Sequence, residues 1–470
     1  MAQTTQIAVL GAGPGGYAAA FYAADLGMQV ILIGEDANPG GVCLYRGCIP
    51  SKALLHVAKV MDEASHASKW GISYAAPAVD LNKLRAYKQG VVDKLTAGVG
   101  SVAKLRKVNF VQGRATLTGP KSLTVKTASG TEDIQFEHLI LAVGSSPTKI
   151  PSLSLDSPRM MDSTSALELP DVPKSLLVVG GGYIGLELGT VYATLGSKVS
   201  VVEMTAGLLP GADRDLVQPL EKRLKALFAS IMVNTKVVKV AEEKNGIRVT
   251  FEGDVAEKEQ VFERVLVSIG RRPNSKVPGL EKTRVKVDAK GFIETDPQRR
   301  TAEPSIFAIG DVAGEPMLAH KASHEARVAV EAIAGHKAIF EPQAIPAVVF
   351  TDPEIAWCGL TEAQANEQKI DVEVAKFPWG ALSRAITVDR PDGLTKLVIE
   401  KKTGRVLGVG ISGSGAGELI AEGVLAIEMG ATAEDLKLVI HPHPTLSESV
   451  MESAEVFFGQ STHVYKPKKK

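Results

Sequence analysis

Cys43 and Cys48 stand in the run Cys43-Leu44-Tyr45-Arg46-Gly47-Cys48, followed at once by Ile49-Pro50-Ser51-Lys52. A disulfide between them would close a small loop, and its entropic gain is on the order of 2–3 kcal/mol at best. Two thiols so spaced, at the start of a helix running to His66, suit thiol–disulfide exchange, because a helix N-terminus stabilises a thiolate. Half a metal site and a pair of inert core thiols are the other readings, and no Cys or His nearby completes four ligands. Cys358, in Ala356-Trp357-Cys358-Gly359, reads as a small buried hydrophobe. Exchange with a dithiol also needs a base, and histidine is matched to that near neutral pH. The His cluster of the chain is His441-Pro442-His443-Pro444-Thr445-Leu446-Ser447-Glu448. Glu448 would orient His443 and stabilise its charged form, but Thr445 and Glu448 also fit a helix capping box. The two histidines read equally as metal ligands or ordinary loop residues.

These groups need elements to position them. Ile7-Ala8-Val9-Leu10 is a short apolar strand, Gly11-Ala12-Gly13-Pro14-Gly15-Gly16 follows, residues 17–26 read as an Ala-rich helix, and Val30-Ile31-Leu32-Ile33 is a second strand. The pattern returns without gaps: a strand at 176–179, Gly180-Gly181-Gly182-Tyr183-Ile184-Gly185, a helix to Leu195 and a strand at 199–202. Gly11 and Gly180 permit the strand-to-helix turn. Gly13 and Gly182 let backbone amides approach a pyrophosphate, and Gly16 and Gly185 let the helix pack on the strand. The pyrophosphate then sits at the positive end of a helix dipole. Two Gly-rich turns in plain α/β domains are the alternative. Glu203 ends the second copy's last strand, where a carboxylate binds a ribose 2′-hydroxyl and repels a 2′-phosphate, favouring NAD over NADP; an exposed strand-end acid is the plainer reading. The equivalent residue in the first copy is Gly34, with Glu35 next to it. Two nicotinamide sites would be redundant. A flavin dinucleotide beside the cysteines and NAD in the second copy would form an electron-transfer chain.

Composition narrows the class. Hydrophobic residues make up 45% of the 470 and charged residues 23%, which is material for folded cores and excludes disorder. Lys plus Arg and Asp plus Glu are 53 each, so the basic excess of a nucleic-acid binder is absent. No apolar run has the length of a membrane span; residues 176–195 come nearest, and Glu187 interrupts them. The first basic residue is Arg46, so no signal peptide is expected, and three cysteines are too few for a secreted disulfide scaffold. The cytoplasm is the expected address. Residues 466–470, Lys-Pro-Lys-Lys-Lys, read as a solvated end.

Gly40-Gly41-Val42-Cys43 with Cys48-Ile49-Pro50-Ser51-Lys52 resembles the redox motif of the pyridine nucleotide–disulfide oxidoreductases, and His443-Pro444-Thr445 with Glu448 resembles their His/Glu motif. The resemblance covers the whole chain. It implies an α/β fold: two Rossmann-like dinucleotide-binding domains, for FAD and NAD, plus a C-terminal α+β dimerisation domain. The expected boundaries are 1–149 for FAD and the redox disulfide, 150–275 for NAD, 276–345 for a central domain completing the FAD site, and 346–470 for the dimer interface. The implied activity is oxidation of protein-bound dihydrolipoamide to lipoamide with reduction of NAD+, through the Cys43–Cys48 disulfide and FAD. Another NAD(P)H-dependent flavin disulfide reductase, or a non-catalytic binding subunit of the same fold, are the alternatives. By resemblance, Cys43, Cys48, His443 and Glu448 are catalytic, the last two serving the partner subunit of an obligate homodimer. Gly15, Lys52, Ala115, Gly144, Ser145, Asp311, Leu318 and Ala319 fall at flavin-side positions, with Met317 and His320 continuing the contact. Lys52 and Glu187 resemble an ion pair beside the reactive ring. Val237, Gly270 and Arg271 fall at NAD contacts. The implied partners are lipoyl domains of dihydrolipoyl acyltransferase cores or the glycine cleavage H protein, with no nucleic acid and no membrane. Two departures stand out: Tyr45, followed by Arg46, where the family has Asn, expected to alter the dithiol entrance, and the displaced ribose acid.

Overall fold

The computed structural model describes residues 2–465; the lysine-rich end at 466–470 lies outside them. The first sheet is built on β1 (Gln3–Leu10), whose Ile7, Ala8 and Val9 are wholly buried. The glycine turn leads into α1 (Pro14–Asp25) and β2 (Val30–Gly34). α2 (Gly41–Arg46) carries Cys43, α3 (Cys48–His66) begins at Cys48, and α4 (Leu81–Leu105) follows. On α3, Leu54 and Ala58 are buried and Val57 and Met61 half-buried, the apolar face read from their spacing. β3 (Asn109–Gln112), β4 (Arg114–Gly119), β5 (Ser122–Thr127) and β6 (Gly130–Leu141) complete the order β3-β2-β1-β6-β5-β4. β1 runs parallel to both β2 and β6, so its apolar run is covered on both faces.

The second unit repeats the plan. Its parallel sheet runs in the order Ser230–Met232, Lys198–Val202, Ser175–Val179, Arg264–Val267, Met160–Met161, and Leu176, Leu177 and Val178 are fully buried. A two-stranded antiparallel ribbon joins the units, pairing Ser145–Pro147 with Arg271–Pro273. Residues 276–345 carry no sheet of their own. Their strand Ile306–Ala308 pairs with β6, and their helix Ala319–Ile333 packs on α1.

The C-terminal unit is a five-stranded antiparallel sheet around buried Phe377 and Trp379, flanked by helices Ala416–Glu428 and Glu448–Phe458. Buried Lys396 ties this sheet to the second unit: its ammonium lies 2.6 Å from Asp213, 2.9 Å from Asp215 and 2.6 Å from Glu362. Among the described residues no helix is long and apolar enough to cross a membrane.

Candidate active site

The two glycine turns are built alike. Gly11 has φ +104° and Gly180 φ +107°, the region that side chains avoid. A Cβ on Gly16 would fall 1.7 Å from the Gly11 carbonyl oxygen, and one on Gly185 2.6 Å from that of Gly180, so each helix touches its own turn. Gly13 and Gly182 are the N-caps of their helices and carry no side-chain cap. A Cβ on Gly182 would meet nothing within 4 Å, and one on Gly13 only the Gly41 Cα at 3.9 Å, so both amide edges are open to a phosphate.

From the first turn a cavity of about 860 Å³ runs past Glu35, Ala115, Gly144, Ser145 and Asp311 to Cys43, Cys48 and the second unit. Its size and open backbone edges fit a flavin dinucleotide. Gly11, Gly13, Gly15, Lys52, Glu187, Arg271 and Ala319 also line it; Gly16 and Leu318 do not. Leu318 caps the helix that Ala319 opens, and the His320 ring bonds the Pro346 carbonyl at 2.8 Å, away from the cavity. Midway, Ser145 Oγ donates to Asp311 at 2.5 Å, while Arg271 donates to Ser145 Oγ at 2.7 Å and to its carbonyl at 2.6 Å.

Behind Asp311 lies a buried ion cluster that sequence reasoning missed. Glu325, fully buried, accepts from the Gly310 N–H at 2.6 Å and pairs with Arg299 at 2.9 Å and Lys321 at 3.2 Å. Its one sequence signal is Lys321 and Glu325 a helical turn apart, the spacing of an ordinary surface pair.

The cysteines are free thiols, Cys43 half-buried and Cys48 exposed onto the cavity. The hydrogen bond from Cys43 is the main cause that pulls Cys48 down to about 7; burial opposes it and the Lys52 charge assists. The Cys43 thiol is pushed far above the thiol range, first by that hydrogen bond and then by burial. The hydrogen bond between them thus favours the negative charge on Cys48 over Cys43. Lys52 Nζ lies 2.8 Å from Glu187, whose other oxygen accepts the Phe350 N–H at 2.9 Å. The same ammonium sits 4.4 Å from the centre of the Phe350 ring. Phe350, from the C-terminal unit, was not among the sequence candidates. Nor was Tyr17, whose phenol is pushed up by burial and then by the cysteines' charge.

Of the two residues between the cysteines singled out above, Arg46 lines the dithiol's cavity and Tyr45 does not. Both turn toward the loop after β2: Arg46 forks onto Asp36 at 2.8 and 2.9 Å, and the Tyr45 hydroxyl meets the Asn38 backbone. A six-residue helix carries both side chains over that loop, where Asp36 accepts the guanidinium.

Gly180, Gly182, Gly185, Glu203, Val237 and Gly270 lie outside the lining of the dithiol's cavity. The Glu203 carboxylate accepts from the Gly181 N–H at 2.7 Å and the Thr205 N–H at 2.8 Å at the rim of the second turn. Val237 is half-buried on strand Thr235–Glu243.

His443 and Glu448 meet: Nδ1 is 2.9 Å from Oε1, and Oε2 accepts the Thr445 N–H at 2.7 Å. The helix starts at Glu448 with Ser447 as its N-cap, so the expected capping box does not form; the Thr445 hydroxyl donates to Pro442, and Glu448 serves both the turn and the imidazole. The net Glu448 pKa is lowered: burial pushes it up, but the Thr445 N–H and His443 outweigh that. Neither residue lines the cavity of Cys43 and Cys48. His441 is different, half-buried with its ring covered, and bonded to Glu422 at 2.8 Å and to the Val439 carbonyl at 3.0 Å. Cys358 is buried, and burial pushes its thiol up to about 12.

Two family descriptions match. Residues 5–326 match pyridine nucleotide-disulphide oxidoreductase, and residues 345–454 match the dimerisation domain of the same family. Among curated relatives, a dihydrolipoyl dehydrogenase of Vibrio cholerae is 50% identical over 466 residues, 99% of this chain and 98% of that protein. One of Geobacillus stearothermophilus is 45% identical over 460 residues, 98% and 97% of the two chains. Among solved structures, LpdA of Mycobacterium tuberculosis aligns with a TM-score of 0.89 at 26% identity, covering 96% of this chain and 99% of that one. The Cu(II) complex of the flavoprotein disulfide reductase RclA of Escherichia coli aligns at 0.86 and 27%, covering 97% and 100%. With a dithiol set between two glycine-turn units and matches running almost end to end, the chain belongs to the pyridine nucleotide-disulphide oxidoreductase family.

Proposed function

We propose that the protein oxidises the dihydrolipoyl groups of carrier proteins to lipoyl disulfides and reduces NAD+, the activity its curated relatives are named for. The observation that carries this is the dithiol on the wall of a cavity that starts at one dinucleotide turn and reaches Tyr183 and Glu187 beside the other. FAD, held along Gly11–Gly16, Glu35, Ala115, Ser145 and Asp311, supplies two-electron acceptance from the thiols and transfer to NAD+.

The chain's own residues then have the following work. In the oxidised protein Cys43 and Cys48 form a disulfide; the free thiols described above are its two-electron-reduced form. His443 of the partner subunit takes a proton from one substrate thiol, with Glu448 orienting the ring and balancing its charge. The thiolate so formed attacks Cys43 Sγ; a substrate–Cys43 bond forms, the Cys43–Cys48 bond breaks, and Cys48 leaves as thiolate. The second substrate thiol attacks the substrate sulfur of that mixed disulfide, expelling Cys43, which takes up a proton. The Cys43 hydrogen bond first, and then the Lys52 ammonium held by Glu187 and Phe350, favour the Cys48 thiolate as leaving group. Glu203 holds the NAD ribose and disfavours NADP, with Gly180, Gly182, Gly185, Val237, Gly270 and Arg271 around the dinucleotide.

In this reading residues 1–149 and 276–345 house FAD, 150–275 house NAD, and 346–470 make the dimer. The partners are lipoyl domains of acyltransferase cores or the glycine cleavage H protein, met in the cytoplasm. The test is NAD+ reduction by dihydrolipoamide against reduced glutathione, with NADP+ in parallel. Preference for dihydrolipoamide and NAD+ is expected. A colourless protein that stays inert after incubation with FAD would refute the reading.

A further inference from the structure

The two turns diverge at one pair of positions. In the second unit Gly181 leaves room that Glu203 fills; a Cβ on Gly181 would lie 3.1 Å from the Glu203 Cβ. In the first unit the same pair is Ala12 and Gly34, and a Cβ on Gly34 would fall 2.6 Å from that of Ala12 and 3.3 Å from the Phe110 ring. The place of a ribose acid is thus taken by Ala12 and Phe110. The next residue, Glu35, reaches out instead: its carboxylate lies 3.5 Å from Arg114 Nε and its carbonyl accepts from Gln112 at 3.1 Å.

Glu35 sits at the start of a loop, residues 35–40, that would otherwise have few ties. The two residues that grip it lie between the redox cysteines. Arg46 forks onto Asp36 with both nitrogens, at 2.8 and 2.9 Å, and the Tyr45 hydroxyl donates to the Asn38 carbonyl and accepts its N–H, each at 3.2 Å. Glu35, Asp36, Arg46 and Arg114 all line the cavity. We infer that Arg46 is a positioning residue for the adenosine ribose of the flavin dinucleotide: its fork on Asp36 holds the loop so that Glu35 makes the ribose contact that Gly34 cannot. The two departures from the family pattern are then one device, a moved acid and the clamp that holds it. This rests on the first unit being the flavin site.

The test is reversible removal of FAD from the purified protein and rebinding followed by flavin fluorescence. A half-exposed bidentate pair that orders a loop predicts about tenfold weaker FAD binding for Arg46→Ala. Asp36→Asn, nearly isosteric, should weaken binding similarly, and the charge-swapped double variant Arg46→Asp with Asp36→Arg should recover most of it. Glu35→Gln should also weaken binding, and combining it with Arg46→Ala should cost no more than either alone, because both act through one contact. Additive losses would overturn the inference. So would an Arg46→Ala protein whose apo form melts lower while its FAD dissociation constant stays within about twofold of the parent, a purely structural result. If the unaltered protein takes up no FAD, the flavin reading falls first and this inference with it.

Discussion

Cys43 and Cys48 are surrounded by groups of their own chain that set their charge, whereas His443 has one such group and faces outward. The dithiol has Lys52, Glu187 and Phe350 packed about it from three parts of the sequence. The His443 side chain is 64% exposed and bonded through Nδ1 to Glu448, and its neighbours Leu438 and Ile440 are 68% and 94% exposed. Large apolar groups left bare on a dimerisation domain are what an interface between two copies would cover. The contrast teaches that folding alone surrounds the thiols, while on the proposed reading the base reaches its dithiol only by association.

The sharpest break is at the thiols. Cys48→Ser should cut NAD+ reduction by dihydrolipoamide by about 10⁴-fold or more, since neither disulfide nor thiolate can form. Reduction of a one-electron dye by NADH, which bypasses the thiols, should persist; loss of both would place the damage in the fold. Next comes the base. His443→Gln should cost about 10²–10⁴-fold, the range for a general base. Mixing Cys43→Ser and His443→Gln chains under conditions that exchange subunits then tests the contrast itself. If each base serves the other chain, every mixed dimer keeps one intact site, and a random mixture regains about a quarter of the parent activity. No recovery would mean that base and dithiol meet within one chain. Glu448→Gln should sit lower, about 10–10²-fold, because the imidazole stays but loses its orienting charge.

A smaller effect probes the thiol half. Phe350→Leu removes the ring under Lys52 while keeping the backbone N–H on Glu187. A cation–π contact of this kind is worth about 0.5–1 kcal/mol, or roughly two- to fivefold in rate. Lys52 is among the causes that lower Cys48, so a looser ammonium should move Cys48 upward from about 7. The pH midpoint of the thiolate–flavin charge-transfer absorbance should rise accordingly, and Phe350→Tyr should restore it. An unmoved midpoint in Phe350→Leu would show that Glu187 alone places the lysine.

What the sequence disclosed tracks how local each signal is. The strand–glycine–helix pattern is short-range, so both turns and the cysteine helix could be read directly, down to Leu54 and Ala58 on its buried face. The cysteine pair stood out by its close spacing, whereas the His443–Glu448 contact was one of several readings its residues allowed and the family resemblance selected it. Phe350 was not, because its tie to Glu187 is a backbone N–H reaching across 163 positions, which leaves no mark in residue type. Arg46 and Asp36 were visible as residues, but a six-residue helix between two glycines does not disclose which way its side chains turn. Glu325 went unread, since nothing in its helix announces Arg299 and Gly310 arriving from elsewhere.

The sequence assigned a task to His443 and none to His441, and the smallest prediction supplies one. Glu422 raises the His441 pKa above its ordinary 6.5, with burial opposing and the more distant Glu448 adding to the rise. A folded pKa above the unfolded one means that the pairing adds stability in full below about pH 6.5 and loses it as pH climbs through the folded value. Glu422→Gln should therefore lower the melting midpoint at pH 6 and much less at pH 9. The pair is partly shielded at best, so under about 1 kcal/mol is at stake, which is about 1–2 °C in a chain of this size. Equal losses at both pH values would make His441 a neutral hydrogen-bond partner. A loss confined to low pH would identify it as the charged anchor of the turn from which His443 projects, so that two histidines two residues apart divide between holding the loop and doing its chemistry.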